Sequence, residues 1–134
     1  MSPEARLPKI NAMLICERVI REEGTGLVSL INVFENINTQ QLPVTFPSLY
    51  VYAKMTEAQG EYAFRLDIVR RDTMSTIAEA QLPSVVVEDP MANADLIMQL
   101  GGLTFAEAGH YDFRLSANGR FVDSKSLQIL LKSS

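Results

Sequence analysis

The sequence is poor in the residues from which catalytic and metal sites are usually built. Its 134 residues include one cysteine, one histidine and no tryptophan. One cysteine excludes an intrachain disulfide, and one cysteine with one histidine cannot supply the ligand set of a zinc site. The same shortage disfavours a nucleophile activated by an oriented base. We therefore expect no enzyme activity and no cofactor.

Long apolar runs and basic clusters are also missing. No stretch approaches the roughly 20 apolar residues of a membrane-spanning helix, and residues 1–8 lack the apolar region of a signal peptide. The 12 Lys and Arg residues are scattered among 16 Asp and Glu residues, without the basic stripe of a nucleic-acid-binding protein. We therefore expect a cytoplasmic protein that binds neither nucleic acid nor a membrane.

What the chain does have is short runs in which apolar and polar residues alternate. Hydrophobic residues make up 47% of it, which is typical of a globular domain. Turn signals such as Gly24-Thr25-Gly26 and Asn118-Gly119 separate the runs. The pattern predicts an all-β, antiparallel two-sheet sandwich of about seven to nine strands over residues 9–134, after a flexible tail over residues 1–8. An immunoglobulin-like and a C2-like sandwich both fit.

Two segments in the first half of the chain depart from simple alternation. Leu27–Phe34 is largely apolar and rich in β-branched residues, which predicts a buried strand. Pro43 and Pro47 each lack the backbone N–H that a sheet ladder needs. Residues 35–48 are therefore predicted to form a crossover connection rather than a strand pair.

The segments Gly60–Leu66 and Gly109–Leu115 repeat the pattern G-x-Y-x-F-R-L. The pattern predicts two equivalent core strands, with Arg65 and Arg114 outside, solvated or paired with the aspartates of the same strands. A tyrosine at the start of such a strand bonds back to the loop before it, which we expect of Tyr111. The alternative is a duplicated ligand site.

The candidate functional residues come from strand phase. Tyr50 and Tyr52 lie on the phase opposite the apolar residues beside them, and Met13, Ile15 and Ile97 also fall on the nominally outer phase. Clustered together, these side chains would form an exposed apolar patch, which marks an interface with a protein partner or a second copy. Alternatively, the crossover connection or a chain end covers them. The favoured function is a non-catalytic interaction or scaffold module.

Binding of a carbohydrate or another small polar ligand is the alternative function, suggested by the aromatic pair and the polar residues 36–41. The absence of tryptophan disfavours a sugar platform. The acidic and amide side chains in and just after loop 83–93 offer oxygen ligands for calcium. Their spacing fits no EF-hand, and solvated loop acids are the favoured explanation. These ligands are Glu88, Asp89, Asn93 and Asp95.

The two residues most often used in catalysis are each explained by structure. His110 falls on an outward phase, which favours a surface histidine. Cys16 falls on the inward phase of its strand, which favours a buried and inert thiol.

Several blocks resemble an uncharacterised family of small bacterial proteins. Lys9–Ile20 and Val28–Ile37 are similar to its opening, and Phe46–Tyr52 and Gly109–Leu115 are similar to its later blocks. The resemblance covers almost the whole chain after Pro8. It implies a single-domain β-sandwich of bacterial origin with no established activity, and it transfers no catalytic residue.

Overall fold

The computed structural model describes residues 6–91 and 94–132, and every regular element within these ranges is a β-strand. The all-β prediction is confirmed. The predicted number of strands was too low, because three strands are only three or four residues long and leave no alternation to detect. The eleven strands are β1 (Lys9–Arg21), β2 (Val28–Phe34), β3 (Asn36–Thr39), β4 (Val44–Thr56), β5 (Gly60–Tyr62), β6 (Phe64–Arg70), β7 (Ser75–Gln81), β8 (Val85–Val87), β9 (Ala94–Phe105), β10 (Gly109–Ala117) and β11 (Arg120–Leu131).

The strands form a four-stranded sheet, β2-β1-β4-β9, a five-stranded sheet, β3-β11-β10-β6-β7, and a two-stranded ribbon, β5-β8. All pairs are antiparallel except β3 with β11, which is parallel. The prediction of a wholly antiparallel arrangement is therefore wrong at that edge. The hairpin predicted at Asn118-Gly119 is confirmed, and both residues have positive φ, at 52° and 79°.

Residues 35–48 are not a simple crossover, because they contain β3 and the beginning of β4. Pro47 is tolerated within β4 because it falls between two ladder pairs, Phe46 with Leu103 and Ser48 with Gly101. A proline removes a ladder donor and is accepted where a strand is irregular or unpaired on one side. The missing N–H of Pro47 therefore did not prevent strand formation.

The two larger sheets contribute side chains to one hydrophobic core. Phe105 of β9 contributes fully buried aromatic surface from one sheet, and Phe113 of β10 does so from the other. The ring of Phe105 packs edge-on against Tyr111 at 4.8 Å between centroids, and against Phe46 at 5.9 Å. The contact with Tyr111 of β10 joins the two sheets, whereas Phe46 of β4 belongs to the same sheet as Phe105.

The two repeated tyrosines anchor loops to the sheets. The Tyr111 hydroxyl donates to the backbone carbonyl of Glu107 at 2.6 Å, which confirms the predicted bond to the preceding loop. The Tyr62 hydroxyl accepts from the Gln59 N–H at 2.8 Å and donates to the Arg6 carbonyl. Pro8 is buried. Residues 6–8 of the predicted tail are thus attached to the domain, and residues 1–5 lie outside the described residues.

We expect Tyr62→Phe to lower the free energy of unfolding by about 1 to 2 kcal/mol, because it leaves polar groups of two segments without a partner. Tyr111→Phe removes a single bond to one carbonyl, so its loss should be smaller, at about 1 kcal/mol. Urea denaturation of both variants measures the difference. A larger loss for Tyr111→Phe would contradict this assignment.

Candidate interaction surface

The predicted apolar patch does not form as a unit, because Met13 and Ile15 are buried in the main core. The cause is a register shift in β1. Ile10 pairs with Met55, but the next pair is Ala12 with Lys54, so β1 carries one extra residue at this point. A bulge of one residue reverses the inward and outward phase of every residue beyond it. The prediction that Met13 and Ile15 face outward is therefore wrong.

The other three residues of the predicted patch do come together on the outer face of the four-stranded sheet. Tyr52 pairs with Ile97 of β9 on one side and with Leu14 of β1 on the other. Tyr50 lies two residues before Tyr52 in β4 and pairs with Cys16. Tyr50 and Ile97 are half-buried, however, and Tyr52 is only 8% exposed. This group is covered rather than open to solvent.

Cys16 is buried, as predicted, but on the outer face and not on the inward one. Its neighbour Ile15 belongs to the main core, and alternation turns Cys16 to the other side of β1. Its partners in the ladder are Val33 of β2 and Tyr50 of β4, both larger than itself. Burial raises the pKa of the Cys16 thiol, which disfavours the reactive thiolate.

The β1–β2 hairpin provides the cover. If β1 continued flat, Arg21 would lie beside residue 45 of β4, about 30 Å along the strand from the pair formed by Lys54 and Asp95. In the structure, Nη2 of Arg21 is 3.7 Å from Oδ2 of Asp95. Asp95 is also bonded to the outer-face residue Tyr52. The second half of β1, together with β2, therefore leaves the sheet and reaches back across its outer face.

The bend of this hairpin lies at Glu17 and Asn32. The β1–β2 ladder pairs Cys16 with Val33 and then Arg18 with Ile31, and it omits the pair between them. Asn32 has a φ of 54°, in the left-handed region that asparagine tolerates better than most residues. Its side-chain amide donates to Oε2 of Glu17 at 2.6 Å. The irregular pair thus sits where both strands change direction.

A group of three side chains holds the far end of the hairpin against the sheet. The Tyr52 hydroxyl donates to Oδ1 of Asp95 at 2.5 Å, and Arg21 approaches the other carboxylate oxygen. Burial, followed by the bond to Asp95 and the charge of that carboxylate, raises the pKa of Tyr52 to about 12. We call Arg21, Tyr52 and Asp95 the hairpin latch.

One face of the hairpin exposes three large apolar side chains, and Arg18 and Ser29 lie on the same face. Ile20, Ile31 and Val33 share a phase and are 37% to 46% exposed, and Leu27 at the turn is more exposed still. On the opposite face, Val19, Val28 and Leu30 are half-buried. The prediction of a buried strand over Leu27–Phe34 is therefore wrong for this face. We call Ile20, Ile31 and Val33 the hairpin face. The sequence pattern missed this exposed face because a largely apolar, β-branched segment is typical of a buried strand.

A cleft of about 490 Å³ opens beside the bend, where β1 leaves β4. Glu17 and Arg18 line its β1 side, and Phe34 at the end of β2 closes part of it. Residues 46–50 of β4 form the opposite wall. The cleft is therefore a gap in the four-stranded sheet between the departing hairpin and the edge of β4.

The outer face of the five-stranded sheet carries most of the ion pairs. Nε of Arg65 donates to Asp67 at 2.9 Å, as predicted. Arg114 does not pair with Asp112, because Arg71 binds that carboxylate at 2.7 Å. The Arg114 guanidinium lies over the ring of Phe121 instead, at 4.8 Å, beside a shallow pocket of about 330 Å³.

The remaining candidate residues do not assemble a reactive centre within the described ranges. His110 is exposed. No three His, Cys, Asp or Glu side chains of residues 6–91 and 94–132 lie close enough to hold a metal ion. Asp89 accepts the Met91 N–H at 2.9 Å and Asp95 belongs to the hairpin latch, whereas Asn93 lies outside the described residues.

These features define an all-β domain whose most distinctive surface is a bent hairpin with an apolar face, beside a cleft in the sheet. The described part of the chain contains no helix able to cross a membrane. The chain belongs to DUF6941, a family of unknown function whose model matches residues 11–130. No curated protein matches it.

Proposed function

We propose that this chain is a β-sandwich protein-interaction module of the bacterial cytoplasm, without catalytic activity, and that the hairpin face contacts a protein partner or a second copy. The observation that carries this proposal is the exposure of Ile20, Ile31 and Val33 on one face of a single hairpin. Soluble monomers rarely expose several large apolar side chains together, and such patches mark interaction sites.

The composition of β2 supports the same proposal. Val28–Phe34 is an edge strand and contains no charged residue and no proline. Natural sheets usually protect an exposed edge with such residues or with a bulge. Here only the irregular Asn32 interrupts the edge. The apolar side chains beside it gain roughly 25 cal/mol for each Å² of surface that a partner covers.

Site-specific photo-crosslinking in the native host tests the proposal. A crosslinking residue at position 33 should yield a discrete adduct, with a partner or with a second copy. Ile31→Lys should reduce that adduct about tenfold, because it places a charge in the interface. Ile77→Lys is the matched control, since Ile31 and Ile77 are 37% and 38% exposed. No adduct, or equal adduct from both variants, would contradict the proposal.

Binding of a small polar ligand or a carbohydrate is the second candidate function. It is supported by the pocket beside Arg114, where a guanidinium and the half-exposed ring of Phe121 are adjacent. Arg65, which also lines this pocket, is held by Asp67 and Glu79. A thermal-shift screen of glycans and organic anions tests this candidate. Stabilisation that persists in Arg114→Ala would place the ligand elsewhere.

A further inference from the structure

We propose that the cleft beside the hairpin bend binds an extended peptide segment of a protein partner, which adds a strand to the free edge of β4. The segment carries apolar side chains and an acidic residue. This inference rests on the proposed interaction function and names the form in which the partner binds.

The first argument is the incomplete pairing of β4. β9 pairs with β4 from Val44 to Met55, whereas β1 pairs with it only from Tyr50 to Thr56. Within the described structure, residues 44–49 therefore have a strand on one side only. They span about 20 Å, the length of a typical short strand. Their outward N–H and C=O groups are available to an added strand.

The second argument is the shape and polarity of the space beside this edge. Phe34, Phe46 and Tyr50 provide aromatic surface around a volume of about 490 Å³. The second half of β1 bends away from β4 as part of the hairpin and therefore leaves this volume unfilled. In strand addition, main-chain bonds supply affinity while pockets for alternate side chains supply specificity. An edge with an adjoining apolar cleft offers both.

The third argument is the charge at the mouth of the cleft. Glu17 and Arg18 lie next to each other, but the Glu17 carboxylate is engaged by Asn32 at 2.6 Å. Arg18 is exposed and has no carboxylate within ion-pair distance in the part of the chain that the structure describes. An available guanidinium beside an apolar cleft favours a segment with an acidic side chain.

The free edge of β4 contains one residue that lacks a backbone hydrogen-bond donor. Pro47 lies in the free edge and has no N–H. Pro47 therefore cannot donate a backbone hydrogen bond to an added strand. Any backbone N–H groups that this edge donates to the strand must belong to other residues. In an added strand, alternate N–H groups of the peptide point toward the edge, so methylating backbone nitrogens should weaken binding strongly at one set of alternate positions and spare the other.

The experiment selects binders from a displayed library of short random peptides on the purified full chain. We expect the enriched peptides to alternate apolar residues and to share an acidic residue. Binding should slow amide exchange in residues 44–49. Arg18→Glu should weaken binding at least about tenfold, because it removes a charge-assisted bond and adds a repulsion. Arg120→Glu, at another exposed arginine without an ion pair in the described structure, should leave affinity unchanged.

N-methylation separates strand addition from side-chain binding alone. Loss of binding for one alternate set of methylated peptides supports the proposal. Peptides that tolerate methylation at every position overturn it, as do peptides insensitive to Arg18→Glu. Failure to enrich any peptide also overturns it.

Failure of this inference and failure of the proposed function remain distinguishable. A crosslinked partner that depends on Ile31, with no peptide that protects residues 44–49, overturns the cleft proposal and leaves the interaction function standing. Peptides that bind the cleft, with no adduct from the hairpin face, overturn that face as the contact surface. Absence of both overturns both.

Discussion

Replacing Phe105 by alanine is expected to lower the free energy of unfolding by about 3 to 5 kcal/mol. Phe105 is fully buried, and its ring contacts Phe46 and Tyr111 edge-on. The substitution removes the apolar surface that Phe105 buries and leaves a cavity between the two large sheets. It also removes two aromatic contacts, which stabilise beyond their buried area. Urea denaturation monitored by circular dichroism measures the loss.

Phe121 provides the matched control for this substitution. It is also a phenylalanine, but it is 52% exposed and its ring carries the Arg114 guanidinium. Phe121→Ala should therefore cost about 1 kcal/mol or less, chiefly the cation–π contact. A loss at Phe105 no greater than the loss at Phe121 would refute the assignment of Phe105 to the core between the sheets.

Alkaline pH is expected to destabilise the fold through Tyr52. The ordinary pKa of tyrosine is 10.0, and in the folded protein the pKa of Tyr52 is raised to about 12. The stability that this group contributes is complete below pH 10, because both states then hold the proton. It is lost as the pH rises through the folded pKa, since the unfolded state releases the proton first. A difference of two pKa units between the folded and unfolded states corresponds to a loss of about 2 to 3 kcal/mol in the free energy of unfolding.

Tyr52→Phe isolates this effect from the other groups that titrate at high pH. The variant should lose the bond to Asp95 at neutral pH, and its stability should fall less steeply above pH 10 than that of the wild type. Amide exchange in the β1–β2 hairpin should also become faster. In the variant, Asp95 keeps its ion pair with Arg21 but has lost the hydrogen bond from Tyr52 that positions its carboxylate. Identical alkaline profiles for the variant and the wild type would contradict a buried and bonded Tyr52.

The candidate surface was only partly accessible from sequence. Tyr50, Tyr52 and Ile97 share one face of the sheet, because alternation in β4 and β9 is regular where they lie, but Tyr52 is covered. Met13 and Ile15 were misplaced because β1 has an extra residue before them. The hairpin face was missed because a strand buried in a core and a strand exposed to a partner carry the same kinds of apolar side chains. Solvent exposure is a property of the surroundings of a strand, which its own residues do not encode.

By itself, the sequence determined the features that depend on local chemistry. Alternation and turn residues made the domain all-β, Asn118-Gly119 set a hairpin, and the tyrosine of a repeated segment predicted its bond to the preceding loop. Tertiary structure alone decided the bulge in β1, the bend at Glu17 and Asn32, and the gap beside β4. The bend is held by Arg21 and Asp95, which are distant in sequence and meet only when the hairpin crosses the sheet. Such contacts depend on where neighbouring strands lie, and one strand's residue pattern carries no record of its neighbours.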